Sequence, residues 1–288
     1  MKLLFLRNHL VIYNKYNEFR REGEGVNVMT KNKIKLVISI VALLMLPLFM
    51  TGFENEESYG DTKFKDNVVF YAQHQDDETL WASAAIIEAI NEVGADHVYV
   101  VQVSYGTGIK IFDKEETFEN MSQIEKYKYR EREFLAAVDA LGVKRENVVL
   151  LPTLNKTGST SFDLMEQVAL KFENELKSVT HVAHTYKLDW HLQHLKNGAV
   201  IQSLYNAGKI KDVKYFIKPE YKDDIPESER IFYKAIKEED REKIRKACEQ
   251  YKIIDKNKKR EGIGYKSDHR SFERLMKHYD SILHTASI

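Results

Sequence analysis

The feature that most constrains this chain is an alternation that begins at Asn67, where short β-branched runs start to exchange with longer helical stretches. Asn67 to Ala72 (NVVFYA), His97 to Ser104 (HVYVVQVS), Asn147 to Leu151 (NVVLL) and Thr180 to Thr185 (THVAHT) read as buried strands. Between them the pattern predicts helices over about 78–92, 122–141 and 162–177, the first stopped by Gly94 and the second by Gly142. Strand–helix alternation with short connections specifies a mostly parallel sheet covered on both faces, a Rossmann-like α/β sandwich. After Asp212 the signal weakens. One short strand (213–218) precedes a Lys/Glu-rich helical stretch over about 227–252 and a last helix over about 271–284, so a helical C-terminal extension is expected. No repeat and no break in composition marks a second domain, and residues 61–288 are read as one.

An open α/β sheet binds its ligands at the carboxyl ends of its strands, and two segments rich in reactive side chains fall there. His74-Gln75-Asp76-Asp77-Glu78 follows the first predicted strand, and Asp189-Trp190-His191-Leu192-Gln193-His194 follows the fourth. Histidines three apart on a helix project from one face, which pairs His191 with His194. A turn entering a helix aims His74 and Asp77 in one direction and leaves Asp76 beside them. Together the segments offer two imidazoles and one carboxylate to a metal, with a second carboxylate and a further imidazole uncommitted. Two His and one Asp leave zinc an open position for water, whose pKa falls to roughly 7. A nearby carboxylate can take that water's proton, and a spare imidazole can steady an oxyanion or protonate a leaving amine. The inventory suits amide hydrolysis.

Composition removes other classes. Lys plus Arg equals Asp plus Glu at 44 each, so no basic field attracts nucleic acid. A single cysteine, Cys248, excludes an intramolecular disulfide and a Cys-rich metal site, and no histidine near it in sequence serves as a base. Gly106 and Gly108 complete neither a dinucleotide fingerprint nor a P-loop, although the polar loop that holds them is long enough to be functional. Glu133 reads as structural, His184 as a satisfied core histidine rather than a further ligand, and Asp268 and His269 receive no role.

The two segments resemble motifs of the PIG-L/LmbE family of metal-dependent N-deacetylases. His74 to Glu78 is similar to that family's HPDDE, and His191 to His194 to its HPDH. Arg130 to Gly142 (REREFLAAVDALG) is similar to its RxxExxxAxxxLG stretch. The likeness covers roughly residues 66 to 210. It implies His74, Asp77 and His194 as ligands of one Zn2+ and Asp76 as general base. It also implies His191 as the group that stabilises the tetrahedral intermediate or assists the leaving amine, and Arg130 as a substrate contact. The implied substrate is an N-acetylated amino sugar or glycoconjugate, which loses acetate. Gln75 stands in place of the motif's proline and is expected to loosen the turn. Gln193 replaces an aspartate that would orient or charge-tune His191, a part Asp189 is expected to take over. Two other readings use the same residues. One is a non-haem iron facial triad, which leaves Asp76 unexplained; the other is a non-catalytic carbohydrate-binding protein.

The N-terminal part carries a separate expectation. Residues 36–53 form an uncharged apolar run, preceded by Lys31, Lys33 and Lys35 and followed by Glu54, Glu56 and Glu57. That is the charge layout of a signal peptide or an N-terminal membrane anchor within residues 29–60, and so of an exported protein acting on cell-envelope glycans. Residues 1–28 are read as translated leader ahead of a start at Met29, because Glu22-Gly23-Glu24-Gly25 corresponds to a purine-rich message.

Overall fold

The computed structural model describes residues 63–155, 157 and 159–287. The expectations for residues 1–60 lie outside the described residues. Among the described residues, no helix is long and apolar enough to cross a membrane.

The chain runs β1 (Asn67–Ala72), α1 (Asp77–Leu80), α2 (Ser83–Val93), β2 (Val98–Gln102), α3 (Gln123–Leu141), β3 (Val148–Leu150), α4 (Phe162–Leu176), β4 (Val179–His184), α5 (Leu192–Asn206) and β5 (Val213–Ile217). It continues with β6 (Arg230–Lys234), α6 (Glu238–Gln250), β7 (Ile254–Asp255), β8 (Arg260–Glu261), α7 (Ile263–His278) and β9 (Asp280–His284). Seven strands form one sheet in the order β3-β2-β1-β4-β5-β9-β6, and β7 and β8 form a small separate ribbon. β1 to β5 are mutually parallel, whereas β9 runs antiparallel to both β5 and β6. The expected α/β sandwich is therefore present.

Both faces of the sheet are covered. Val68, Phe70 and Ala72 of β1 pack with α2, α3, α6 and α7, while Val69 and Tyr71 pack with α4 and α5 on the other side. A strand buried on both faces has to be apolar at every position, which is why β1 reads as a continuous run rather than an alternation. Helix starts and stops follow local chemistry. Ser122 and Glu125 close a capping box on α3, Gly142 ends it in a left-handed conformation, and Ser161 caps α4 through its hydroxyl.

The C-terminal third corrects the expectation. The stretch read as helix over 227–252 contains β6 before α6, and the helix read to 284 stops at His278 and is followed by β9. Tyr279 terminates α7 in a left-handed conformation (φ 53°), with neither glycine nor proline to mark the stop. In β6, Ile231 and Tyr233 point inward and Phe232 outward, a strand alternation only five residues long inside a charged stretch.

Candidate active site

β1 and β4 are neighbours where the strand order reverses, with β2 and β3 to one side and β5 to the other. Loops that leave such a switch point at the carboxyl edge open a crevice. The turn after β1 and the segment after β4 meet there.

Asp76 takes φ 116°, a left-handed value that is strained for a residue with a Cβ. The surroundings hold it in place. Its main-chain N–H donates to Glu78 Oε2 at 3.0 Å, and its carbonyl accepts from Thr79 and Leu80 at 3.0 and 2.8 Å. Its Oδ2 accepts from Arg130 Nη2 at 2.8 Å, and Arg130 also donates to the carbonyls of Gly106 (2.6 Å) and Gln75. Glu78 is fixed in turn by the hydroxyls of Tyr251 (2.6 Å) and Thr79 (2.7 Å). Gly106 has φ +60°, and a Cβ there would run into Gln75 Oε1 and lie 2.6 Å from Arg130 Nη1. Gln75, expected to loosen the turn, is itself fully buried. Its buried amide donates to the carbonyls of Ser104 and Tyr105 (3.5 and 3.3 Å) and so ties the turn to the loop after β2.

Three donor atoms converge beside this turn. His74 Nδ1, Asp77 Oδ2 and His194 Nε2 form a triangle with sides of 3.3, 3.4 and 3.1 Å. A tetrahedral ion with bonds near 2.0–2.2 Å holds its ligand atoms about 3.3–3.5 Å apart. The set thus fits a divalent cation in both geometry and donor type. His191 is the N-cap of α5 rather than part of the helix, yet its ring stacks on His194 (4.5 Å between centroids) and meets His74 edge-on (4.8 Å). Its Nδ1 is buried without a partner among the described residues.

Asp189, expected to orient or charge-tune His191, holds the His191 main chain and also the His194 ring. Asp189 Oδ2 accepts from His194 Nδ1 at 2.7 Å, while its Oδ1 accepts the main-chain N–H of His191 (2.8 Å) and the ammonium of Lys218 (2.9 Å). His184 is buried, as expected of a core histidine, but its Nε2 lies 3.2 Å from Asp77 Oδ2, so it belongs to the site. Asp77, His184 and His194 make a second group able to hold an ion. Gly198 allows this approach of α5 to β4, because a Cβ there would strike the carbonyl of His184 and lie 2.6 Å from Thr185.

Charge is distributed unequally among these groups. Burial pushes the Asp76 carboxyl well above the ordinary range against the pull of Arg130, and Asp77, Glu78 and Asp268 push it further. Burial also opposes ionisation of Asp77, but the charge and hydrogen bonds of His194 and His184 outweigh it and hold Asp77 well below that range. His184 and His194 stack 4.0 Å apart, and their environments favour positive charge on His194 and not on His184. Burial and its neighbour lower His184 to about 3, whereas Asp77 and Asp189 overcome burial and raise His194 to about 9. His191 is lowered to about 4 by burial and by the two adjacent histidines, and is neutral at pH 7. Burial raises Glu78 to about 7.

His74, Asp76, Asp77, His191 and His194 line a cavity of about 770 Å³. Trp190 stands at its mouth, 71% exposed, with the Lys218 ammonium 4.5 Å from its ring. Asp268, to which no role was given, reaches the wall from a break in α7 (φ −146°, ψ 58°). Arg130, expected as a substrate contact, lines the cavity at 1% exposure with its guanidinium bonded to Asp76 and two carbonyls. Glu133 is structural as expected, its carboxylate accepting the N–H groups of Ile263 and Gly264 at the start of α7 (2.8 and 3.0 Å). Cys248 is buried, and burial pushes its thiol up to about 12, which suits a bystander.

No protein-family model matches the sequence, and no curated protein matches it. Solved structures do. The N,N'-diacetylchitobiose deacetylase of Pyrococcus horikoshii superposes with a TM-score of 0.51 at 13% identity, over 91% of this chain and 95% of that one. A triple mutant of a deacetylase from the teicoplanin biosynthetic pathway does so with a TM-score of 0.50 at 16% identity, over 76% of this chain and 97% of that one. A deacetylase–teicoplanin complex matches over the same shares with a TM-score of 0.50 at 14% identity. The chain has the fold of the LmbE-like deacetylases.

Proposed function

We propose that this chain is a zinc-dependent N-deacetylase, hydrolysing the N-acetyl group of an amino sugar or glycoconjugate to acetate and a free amine. The observation that carries this reading is the triangle of His74 Nδ1, Asp77 Oδ2 and His194 Nε2 on the wall of a cavity that Asp76 and His191 also line. Those three residues would hold the ion, whose charge lowers the pKa of water to roughly 7 and polarises an acyl oxygen.

The chain's own groups move the protons. Asp76 takes one from water as the water oxygen bonds to the acyl carbon. The carbon–nitrogen bond then breaks, and the proton ends on the amine. Arg130 engages Asp76 Oδ2 and leaves Oδ1 for this work. The raised pKa makes that carboxylate a stronger base than an ordinary one. A neutral His191 donates a hydrogen bond to the acyl oxygen as negative charge gathers there, and the proton held by Asp76 passes to the departing nitrogen. Arg130 acts through Asp76 and touches substrate only along the edge that lines the cavity.

Similar structures named for teicoplanin and for N,N'-diacetylchitobiose support a sugar-bearing substrate. In the same reading, the apolar run at 36–53 exports the enzyme to cell-envelope glycans. The test combines elemental analysis of the purified protein with acetate release from a panel of N-acetylglucosamine compounds, wild type beside Asp76→Asn. About one zinc per chain, with acetate released by wild type alone, is expected. A wild-type protein that takes up no metal would sink the proposal in favour of a carbohydrate-binding protein.

A further inference from the structure

The two ring nitrogens that point away from the donor triangle are each held by a side chain from the short segment after β4. Asp189 holds Nδ1 of His194, as described above. The second bond joins His74 Nε2 to Gln193 Oε1 at 2.8 Å. Gln193 is exposed on the first turn of α5 and lines the cavity. It occupies the position where the resembled motif has an aspartate, but its partner here is His74 and not His191.

A neutral imidazole carries one proton, and the hydrogen bond at one nitrogen decides which nitrogen keeps its lone pair. An amide oxygen only accepts, so the His74 nitrogen facing Gln193 has to be the one bearing hydrogen. The lone pair then sits on Nδ1, which faces Asp77 Oδ2 and His194 Nε2. The main-chain N–H of His74 meanwhile donates to Asp77 Oδ2 at 2.7 Å, which fixes the backbone from which the ring projects.

We propose that Gln193 is a positioning residue that sets the tautomer of His74, keeping the proton on Nε2 and the lone pair of Nδ1 directed into the donor triangle. This rests on the metal-site reading, but its decisive measurement does not. Side-chain ¹⁵N NMR of the metal-free protein near neutral pH reports the His74 tautomer, with the resonance assigned by its loss in His74→Gln. Zinc affinity, read by competition with a chromophoric chelator, is the second readout. Gln193→Met keeps the length of the side chain and removes the acceptor, and Gln193→Glu restores one. Because the position is exposed, both variants should fold.

Wild type should show a single Nε2–H tautomer, the methionine variant a mixture with zinc affinity lowered about tenfold. The glutamate variant should return to one tautomer and recover most of the affinity. A methionine variant that keeps the wild-type tautomer overturns the proposal, whatever its affinity. Wild type that binds no zinc while the tautomer still shifts in Gln193→Met removes the metal reading and leaves the role of Gln193 standing.

Discussion

The floor of the cavity and its mouth are built on opposite terms. On the floor, Asp76 and Arg130 are buried and, with Glu78 behind them, are held by several short hydrogen bonds, Asp76 in a backbone conformation that would not persist alone. At the mouth, Trp190 is 71% exposed. Chemistry needs atoms held to fractions of an ångström, and recognition of a bulky sugar needs surface. The contrast teaches that rate should reside in the floor and substrate preference in the mouth.

Replacing Arg130 by Met should break the floor most severely. It leaves the Asp76 carboxylate buried without its cation, at a cost of about 3–5 kcal/mol in urea unfolding and with most activity lost. A variant within about 1 kcal/mol of wild type would show that Asp76 does not depend on this pair. Asp76→Asn should fold, since Asn tolerates the left-handed conformation and still accepts from Arg130. Its kcat for acetate release should drop about 10³-fold while bound metal is retained. Residual activity above about a tenth of wild type would remove Asp76 from the role of base.

Beneath the floor, His284 bonds Thr185 Oγ1 at 2.9 Å beside His184. Burial lowers its pKa to about 4. Between pH 6.5 and 4 the unfolded chain binds a proton that the folded imidazole refuses. Its effect on stability is therefore nil above pH 6.5 and grows to a loss of about 3 kcal/mol as pH falls to 4. His284→Gln should narrow the gap in unfolding free energy between pH 7 and pH 4.5, and an unchanged gap would mean another group governs acid unfolding. The smallest effect belongs to the mouth. Trp190→Ala should raise KM roughly fivefold, about 1 kcal/mol of lost ring contact, and leave kcat within a factor of two. A fall in kcat instead would erase the division between floor and mouth.

Much of the floor was legible because its residues are contiguous. His74 to Glu78 and Asp189 to His194 are short segments, and the β-branched runs before them place both at strand ends. What escaped was assembled from a distance. Tyr251 reaches Glu78 across 173 residues, and Asp268 joins the wall through a kink that no residue type announces. His184 looked like core because it ends an apolar strand, and its bond to Asp77 appears only once β1 and β4 are neighbours. β9 was hidden by Tyr279, since a left-handed stop at an aromatic residue lacks the signal glycine provides. The long helix expected over 78–92 is interrupted at Trp81 and Ala82 between α1 and α2, where no breaker residue stands.

Arg130 and Glu133 sit three residues apart on α3, and they grip two different segments of the chain. The arginine holds Asp76, and the glutamate holds the start of α7, the helix that carries Asp268. One turn of helix, about 5 Å of rise, therefore ties the turn after β1 to the start of α7. Those two segments cannot separate without releasing one end of it. A site tied in this way carries Asp76 and Asp268 on one shared strut, so a change that shifts one of them is passed to the other.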